Sequence, residues 1–221
     1  MEGKCPGMLT CNQERMEAMP STTTFALIRH GQTDWNAQFR IQGITDIPLN
    51  EVGREQAVAA IAPLAGFHDD ERDWDFIVSS PLSRAADTAD LIAAGLNLDV
   101  THRLPAIVER NYGDTEGLQA GPELEALRIP NGFLTAEPEA DVAQRGIDAL
   151  SLLAEEFAGA RIIVVSHGTL IKLSLNSLFD LSIGPITNAA LTVVRKSPTG
   201  WHLDHLNGEE YSSAGLNTAD A

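Results

Sequence analysis

Short apolar runs alternate with longer stretches of helical period along most of this chain. Thr24–Arg29, Phe76–Ser79, Val100–His102 and Arg161–Ser166 are short runs with β-type character and read as strands. Ile162-Ile163-Val164-Val165 is β-branched and unbroken by polar residues, the pattern of a central strand covered on both faces. Glu51–Ala65, Pro81–Ala94, Asp141–Phe157 and Thr169–Phe179 repeat their apolar positions at three- and four-residue spacing and read as helices. The alternation predicts an α/β fold: a three-layer sandwich with a mostly parallel central sheet and helices on both faces. Ala190–Arg195 and Trp201–Leu206 flank Ser197-Pro198-Thr199-Gly200, which predicts a hairpin at a sheet edge.

Elsewhere the periodicity fails. Residues 1–22 are small, polar and Met-rich and read as a disordered N-terminal tail; Met19 would serve as a start codon, so residues 1–18 are expected to be dispensable. Residues 23–207 are expected to form a single domain. Within it, about 114–140, several Gly and Pro and little periodicity read as a short cap insertion over the sheet end. Residues 208–221 read as a flexible C-terminal tail. Cys5 and Cys11 fall in the first tail and read as incidental thiols, since two cysteines without neighbouring histidines cannot make a four-ligand zinc site.

With 221 residues, 43% hydrophobic and 21% charged, the chain has the make-up of a globular domain able to bury a full core. No apolar run approaches the roughly 18 residues of a membrane span, and no charged segment followed by an apolar one opens the chain; a cytoplasmic location is expected. The formal net charge of −16 repels nucleic-acid backbones and anionic lipid, so neither nucleic acid nor membrane is an expected partner. It repels a small anionic substrate as well, unless positive charge is concentrated locally. The placement of the few basic residues therefore carries information.

Two segments resemble each other: Phe25–Gly31 and Ile163–Gly168 are buried-type strands that both end in His-Gly, at His30-Gly31 and His167-Gly168. In an open α/β sheet ligands bind outside the carboxyl ends of the strands. Arg29 precedes His30, and a third strand runs into Ser79-Ser80-Pro81-Leu82-Ser83-Arg84. There Ser80 is expected to cap the next helix, Pro81 to open it, and Arg84 to fall in its first turn. Taken singly, each of these is as compatible with a structural role as with a functional one. Together they place two histidines and two arginines at one rim of a strongly anionic protein. Helix N-termini aim N–H groups the same way, and the group that fits is a phosphoryl.

At these residues the chain resembles the histidine phosphatase superfamily, which includes the phosphoglycerate mutases. The resemblance is carried by Leu27-Ile28-Arg29-His30-Gly31-Gln32-Thr33-Asp34-Trp35-Asn36, Arg40-Ile41-Gln42-Gly43 and Asp46–Gly53. It continues through Ser79–Ala89, Glu109-Arg110-Asn111-Tyr112-Gly113 with Glu116-Gly117, and Val165-Ser166-His167-Gly168. It spans residues 24 to about 206 and breaks down in the cap. It implies a phosphoglycerate mutase-like fold and a metal-independent phosphomonoester hydrolase without cofactors, acting on a small phosphorylated metabolite. His30 would be the nucleophile forming phosphohistidine, and Arg29, Arg84 and His167 would hold the phosphoryl oxygens. Asn36 and the Gln42-Gly43 turn would add hydrogen bonds, Gly168 would lie at the substrate, and Glu109 would be the general acid.

The residue types suit the chemistry. Guanidinium is planar, charged and bidentate toward phosphate, and positive charge beside His30 keeps its imidazole neutral. A metal site is not expected: His202 and His205 read as sheet-surface residues and His68-Asp69-Asp70-Glu71 as a solvated loop. The chain has no Gly-x-x-x-x-Gly-Lys-Ser/Thr, His-Glu-x-x-His or Gly-x-Ser-x-Gly, which argues against nucleoside triphosphatase, zincin and serine hydrolase. Two alternatives stand. Glu109–Gly113 resembles the mutase version of its block, although the cap segment Leu118–Pro138 is short and holds one basic residue, Arg128. A non-catalytic phosphate-binding module is the other.

Overall fold

The computed structural model describes residues 21–67, 72–130 and 132–212. The readings of residues 1–18, of the two cysteines and of His68–Glu71 lie outside them. In chain order the elements are β1 (Thr23–Arg29), α1 (Asp34–Ala37), α2 (Glu51–Ala59), α3 (Ile61–Ala65), β2 (Phe76–Ser79), α4 (Ser83–Leu96) and β3 (Val100–Arg103). There follow α5 (Pro122–Ala126), β4 (Arg128–Ile129), β5 (Gly132–Phe133), α6 (Glu139–Glu156), β6 (Arg161–Ser166), α7 (Gly168–Phe179), β7 (Leu191–Ser197), β8 (Gly200–Leu206) and β9 (Glu209–Glu210). The main sheet has the order β3-β2-β6-β1-β7-β8-β9. β3, β2, β6 and β1 run parallel, and β7 to β9 extend one edge antiparallel.

The continuous apolar runs are explained by coverage on both faces. Phe25 and Leu27 of β1 pack with Ile162 and Val164 of β6, Leu150 and Leu153 of α6, and Leu170 and Leu175 of α7. Their neighbours Ala26, Ile28, Ile163 and Val165 point the other way, onto Leu64 of α3 and Ala85, Ala89 and Ile92 of α4. This alternation of successive side chains makes two cores from one sheet, and hence the three layers. Because β2, β6 and β1 are adjacent and parallel, their carboxyl ends open at one rim. The loop leaving β1 packs tightly there: a Cβ on Gly31 would lie 2.2 Å from the Gly53 carbonyl oxygen.

Several expectations need adjustment. The helix read over Glu51–Ala65 is broken at Ala60, where α2 ends and α3 begins. Pro63 has no N–H for the Ala59 carbonyl and crowds it, which interrupts the helical ladder. The helix read from Pro81 starts at Ser83; Leu82 is its N-cap residue, with an extended backbone and no side-chain cap of its own. Ser80 does not cap it. That task falls to Asp46, whose Oδ1 accepts from Ser83 N at 2.9 Å and from Ser83 Oγ at 2.8 Å. α6 begins at Glu139, two residues earlier than expected. The cap segment holds a 3-10 turn at Gly113–Thr115, α5 and the two-stranded β4–β5 sheet. Glu209–Glu210, expected in the C-terminal tail, pair with β8 as β9. Among the described residues no helix is long and apolar enough to cross a membrane.

Candidate active site

The carboxyl ends of β1, β2 and β6 bring Arg29-His30, Ser79-Ser80 and Ser166-His167 side by side. Main-chain bonds tie them together: His30 N donates to Ser166 O and Ser80 N to Val165 O, each at 2.9 Å. The two histidine rings lie edge to face with centroids 5.2 Å apart. Asn188 holds the turn from the far side, its Nδ2 donating to His30 O at 2.8 Å.

The tautomer of His30 follows from its neighbours. Nδ1 lies 2.7 Å from the Gly31 carbonyl oxygen, which can only accept, so Nδ1 carries the ring proton. Nε2 accepts from Arg84 Nε at 3.2 Å, so its lone pair points at the guanidinium and the imidazole is neutral. His30 is 2% exposed, and burial pushes its pKa well below the usual histidine value, with the charges of Arg84 and Arg29 adding to the effect. Burial thus outranks the neighbouring cations, which the sequence had put first. His167 is held neutral in the same way, by burial first and then by His30, Arg84 and Arg29.

Arg84 is fixed by the loop after α1. Its terminal nitrogens donate to Thr45 O at 3.0 Å and Gly43 O at 2.6 Å. Burial lowers its pKa to about 10, against the pull of Glu109 and Asp46, so it remains a cation at neutral pH. Gly43 therefore serves through its carbonyl. It also lies where a Cβ would come 2.0 Å from Glu116 Oε1. Glu116 clamps this loop by accepting from Ile44 N, Thr45 N and Oγ1, and Tyr112 N. Burial would raise its pKa, but these donors outweigh it and hold the carboxylate low. Arg29 donates to Ile186 O at 2.8 Å and lies against the start of α7, where a Cβ on Gly168 would come 3.1 Å from its Nε. Burial lowers the Arg29 pKa, against the carboxylate of Glu109.

Arg29, Asn36, Gln42, Glu109 and Gly168 line a cleft of about 400 Å³. His30, Arg84 and His167 form the buried cluster adjoining it. A somewhat larger cleft of about 500 Å³, between Leu64, Trp74 and Leu98, holds none of these groups. Gln42 Oε1 accepts from Thr33 Oγ1 at 2.8 Å and Asn36 Nδ2 at 2.9 Å. Its own Nε2, Arg29 Nε and His167 Nδ1 are buried without a hydrogen-bond partner among the described residues. Three unpaired buried nitrogens in one small site are costly for an apoprotein.

Glu109 sits at the N-terminus of α7 and is 5% exposed. Oε1 accepts from Arg110 N at 2.8 Å and Leu170 N at 3.1 Å, and Oε2 from Thr169 N at 3.1 Å. The main chain carrying it is held by Arg145, which donates to Val108 O at 2.6 Å and Glu109 O at 3.0 Å and pairs with Glu137 at 2.8 Å. Read from the sequence, Arg145 and Tyr112 have no site role of their own and Ser80 has only that of a helix cap. Ser80 Oγ shares a 2.8 Å hydrogen bond with His167 Nε2; Tyr112 shares one of 2.9 Å with Thr169. Tyr112 belongs to the Glu109–Gly113 block and could have been raised by that neighbourhood; Arg145 carries no local signal.

Neutral buried histidines tie stability to pH. Their folded pKa values lie below the unfolded value of about 6.5, so the unfolded chain binds more protons in the window beneath it. Their contribution is complete above pH 6.5 and is lost as pH falls, by up to about 1.4 kcal/mol per pH unit for each ring. Urea unfolding of the wild type is expected to weaken from pH 7 to pH 5.5 more steeply than that of His30→Asn/His167→Asn. Parallel slopes would show that the rings are not buried neutral.

The profile of the histidine phosphatase superfamily (branch 1) matches residues 25–209. An uncharacterized phosphatase, PhoE, of Bacillus subtilis (strain 168) is 32% identical over 190 residues, covering 84% of this chain and 94% of its own. A metal-independent phosphoserine phosphatase of Arabidopsis thaliana is 36% identical over 206 residues, covering 86% and 84%. Among solved structures, a mycobacterial glucosyl-3-phosphoglycerate phosphatase is 29% identical with a TM-score of 0.70, covering 85% of this chain and 100% of that one.

Proposed function

Because the chain belongs to the histidine phosphatase superfamily, branch 1, we propose that it hydrolyses a small phosphomonoester through a phosphohistidine on His30, without a metal. The observation that carries this reading is the single lone pair of His30 Nε2, held by the Gly31 carbonyl on one side of the ring and the Arg84 guanidinium on the other. As substrate binds, the Arg84 Nε–H turns from His30 Nε2 to a phosphoryl oxygen; the freed lone pair of Nε2 attacks phosphorus, and the bond from phosphorus to the ester oxygen breaks. Protonated Glu109 gives its proton to the departing alkoxide. Water then attacks the phosphohistidine, Glu109 takes a proton from it, and the P–N bond breaks to return neutral His30. Arg29 and Arg84 neutralise the equatorial oxygens, where the charge of a phosphoryl-transfer transition state resides. With the Ser80 hydroxyl donating to Nε2 of His167, its Nδ1–H serves as a third donor to them.

The relatives named above are phosphatases, but proteins named phosphoglycerate mutase-like or probable phosphoglycerate mutase match at 35% and 34% identity as well, so the preference for hydrolysis over mutase action rests on the cap. Arg128, the one basic residue of Leu118–Pro138, is tied to Glu125 at 2.9 Å. Among the described residues no three His, Cys, Asp or Glu side chains gather as a metal-holding group; the charge on a phosphoryl group is met by side-chain cations. The test follows phosphate release from a panel of phosphomonoesters in excess EDTA, with rapid quenching of labelled substrate. Undiminished hydrolysis and a base-stable, acid-labile phosphoryl group on the protein are expected. Activity abolished by EDTA would overturn the mechanism, and interconversion of phosphoglycerates without phosphate release would make the chain a mutase.

A further inference from the structure

In the pairs Arg54–Asp87, Arg103–Asp90 and Arg128–Glu125 the carboxylate is 41–58% exposed, the setting in which an ion pair contributes little. Arg145 and Glu137 are 22% and 24% exposed, and the guanidinium of Arg145 uses all five of its N–H donors. Nε meets Glu137 Oε1 at 2.8 Å and Nη2 meets Oε2 at 3.1 Å. Nη1 donates to Ala106 O at 3.0 Å and Val108 O at 2.6 Å, and Nη2 donates also to Glu109 O at 3.0 Å.

The acceptors single out one stretch of main chain. Ala106, Val108 and Glu109 turn their carbonyls to Arg145 on α6. Between them, Ile107 O accepts from Oγ of Ser166 at 2.8 Å, the residue before His167. Beyond Glu109 the chain is held by Glu137 itself. Its Oε2 accepts from Asn111 N at 3.1 Å, its carbonyl accepts from Arg110 Nε at 2.8 Å, and its N–H donates to Asn111 O at 2.8 Å. Residues 106–111 are thus pinned on both flanks of Glu109, while its carboxylate rests on N–H groups of Thr169 and Leu170 at the start of α7. Neither Arg145 nor Glu137 lines the phosphoryl cleft, so any effect they have on the reaction passes through that main chain. A proton donor has to stay within hydrogen-bond reach of the leaving oxygen, and a misplacement of about 1 Å costs about 10²-fold.

We propose that Arg145 and Glu137 act as one positioning unit for the general acid, and that the cap, through Glu137 at its exit, thereby sets where the proton donor stands. This rests on the phosphatase reading above, with Glu109 as its acid. The fork of the guanidinium carries the role: a lysine at this position has three donors on one atom and cannot serve two carboxylate oxygens and three carbonyls together. The charge of Arg145 also reaches His167, so Arg145→Lys separates fork from charge.

The experiment pairs the alkyl phosphate turned over fastest in the panel above, whose alkoxide needs a proton to leave, with p-nitrophenyl phosphate, whose leaving group does not. Both are given to the wild type, Arg145→Gln, Arg145→Lys, Glu137→Gln and Arg145→Gln/Glu137→Gln, each checked for folding by urea titration. In Arg145→Gln, kcat on the alkyl ester is expected to fall about 10²-fold, with KM little changed and little recovery in Arg145→Lys. Nitrophenol release in the first turnover should keep its rate, and the dephosphorylation that follows should slow. The double variant should lose no more than Arg145→Gln alone, because the members of one unit are not additive. Should Arg145→Gln fail to fold, Glu137→Gln is expected to show a smaller loss with the same preference for the alkyl ester. Equal losses on both esters, full activity in the folded variants, full recovery by Arg145→Lys, or losses that multiply in the double variant would each overturn the unit and leave the phosphatase intact. A wild type that releases phosphate from none of the esters would overturn the phosphatase reading and the positioning role with it.

Discussion

His30→Ala is expected to lower turnover of every phosphomonoester by at least about 10⁴-fold, the scale seen when an enzyme loses its nucleophile. Binding should persist. The phosphoryl group would be held by Arg29, Arg84 and His167, and Arg84 keeps its bonds to Thr45 O and Gly43 O without the histidine. The variant should therefore bind inorganic phosphate, yet form no phosphoryl-enzyme on rapid quenching. Removing the ring leaves the buried Arg84 Nε–H without its acceptor, at about 1–3 kcal/mol of stability, so folding is checked by urea titration alongside. A folded variant that retains hydrolysis would mean that water attacks phosphorus directly and that His30 acts in another role.

The legible parts of this molecule were those in which local pattern and tertiary role coincide. Ile162–Val165 reads as a strand buried on both faces because it is one, with Ile162 and Val164 in one core and Ile163 and Val165 in the other. His30 and His167 could be placed at one rim because each ends such a strand, and Arg84 because it opens the helix that follows a third. Features that depend on a distant partner were not legible. Ser80-Pro81 carries the local signature of a helix start, but the Ser80 hydroxyl is drawn to His167, 87 residues away in sequence, and Asp46 caps α4 instead. Pro63 is a local helix breaker, yet the apolar spacing of Glu51–Ala65 runs on through it. Arg145 looks like any polar residue on an amphipathic helix; its part in holding the chain at Glu109 exists only after α6 has packed against residues 106–109.

Glu109 is the residue whose role depends most on such packing, and Glu109→Gln separates its two tasks. An amide cannot give a proton to an alkoxide, so a loss of about 10²–10⁴-fold is expected on alkyl phosphates. p-Nitrophenolate leaves without a proton, so phosphorylation of His30 by p-nitrophenyl phosphate should be far less affected. The second half of the cycle still needs a base to activate water. With that ester the variant should release a burst of nitrophenol equal to the enzyme present and then stall as phosphohistidine, which rapid quenching would capture. The substitution also alters the acceptor set: the carboxylate takes N–H groups from Arg110, Thr169 and Leu170, whereas an amide has one acceptor oxygen and presents a donor on its other side. If geometry rather than proton transfer were lost, both esters would suffer equally and no burst would appear. A large selective loss on the alkyl ester, together with a trapped phosphoryl-enzyme, requires that one side chain first donates the proton and then removes one. Equal losses would leave Glu109 as the cap of α7 and send the search for the general acid to Tyr112, the other titratable hydrogen-bonding group at Thr169.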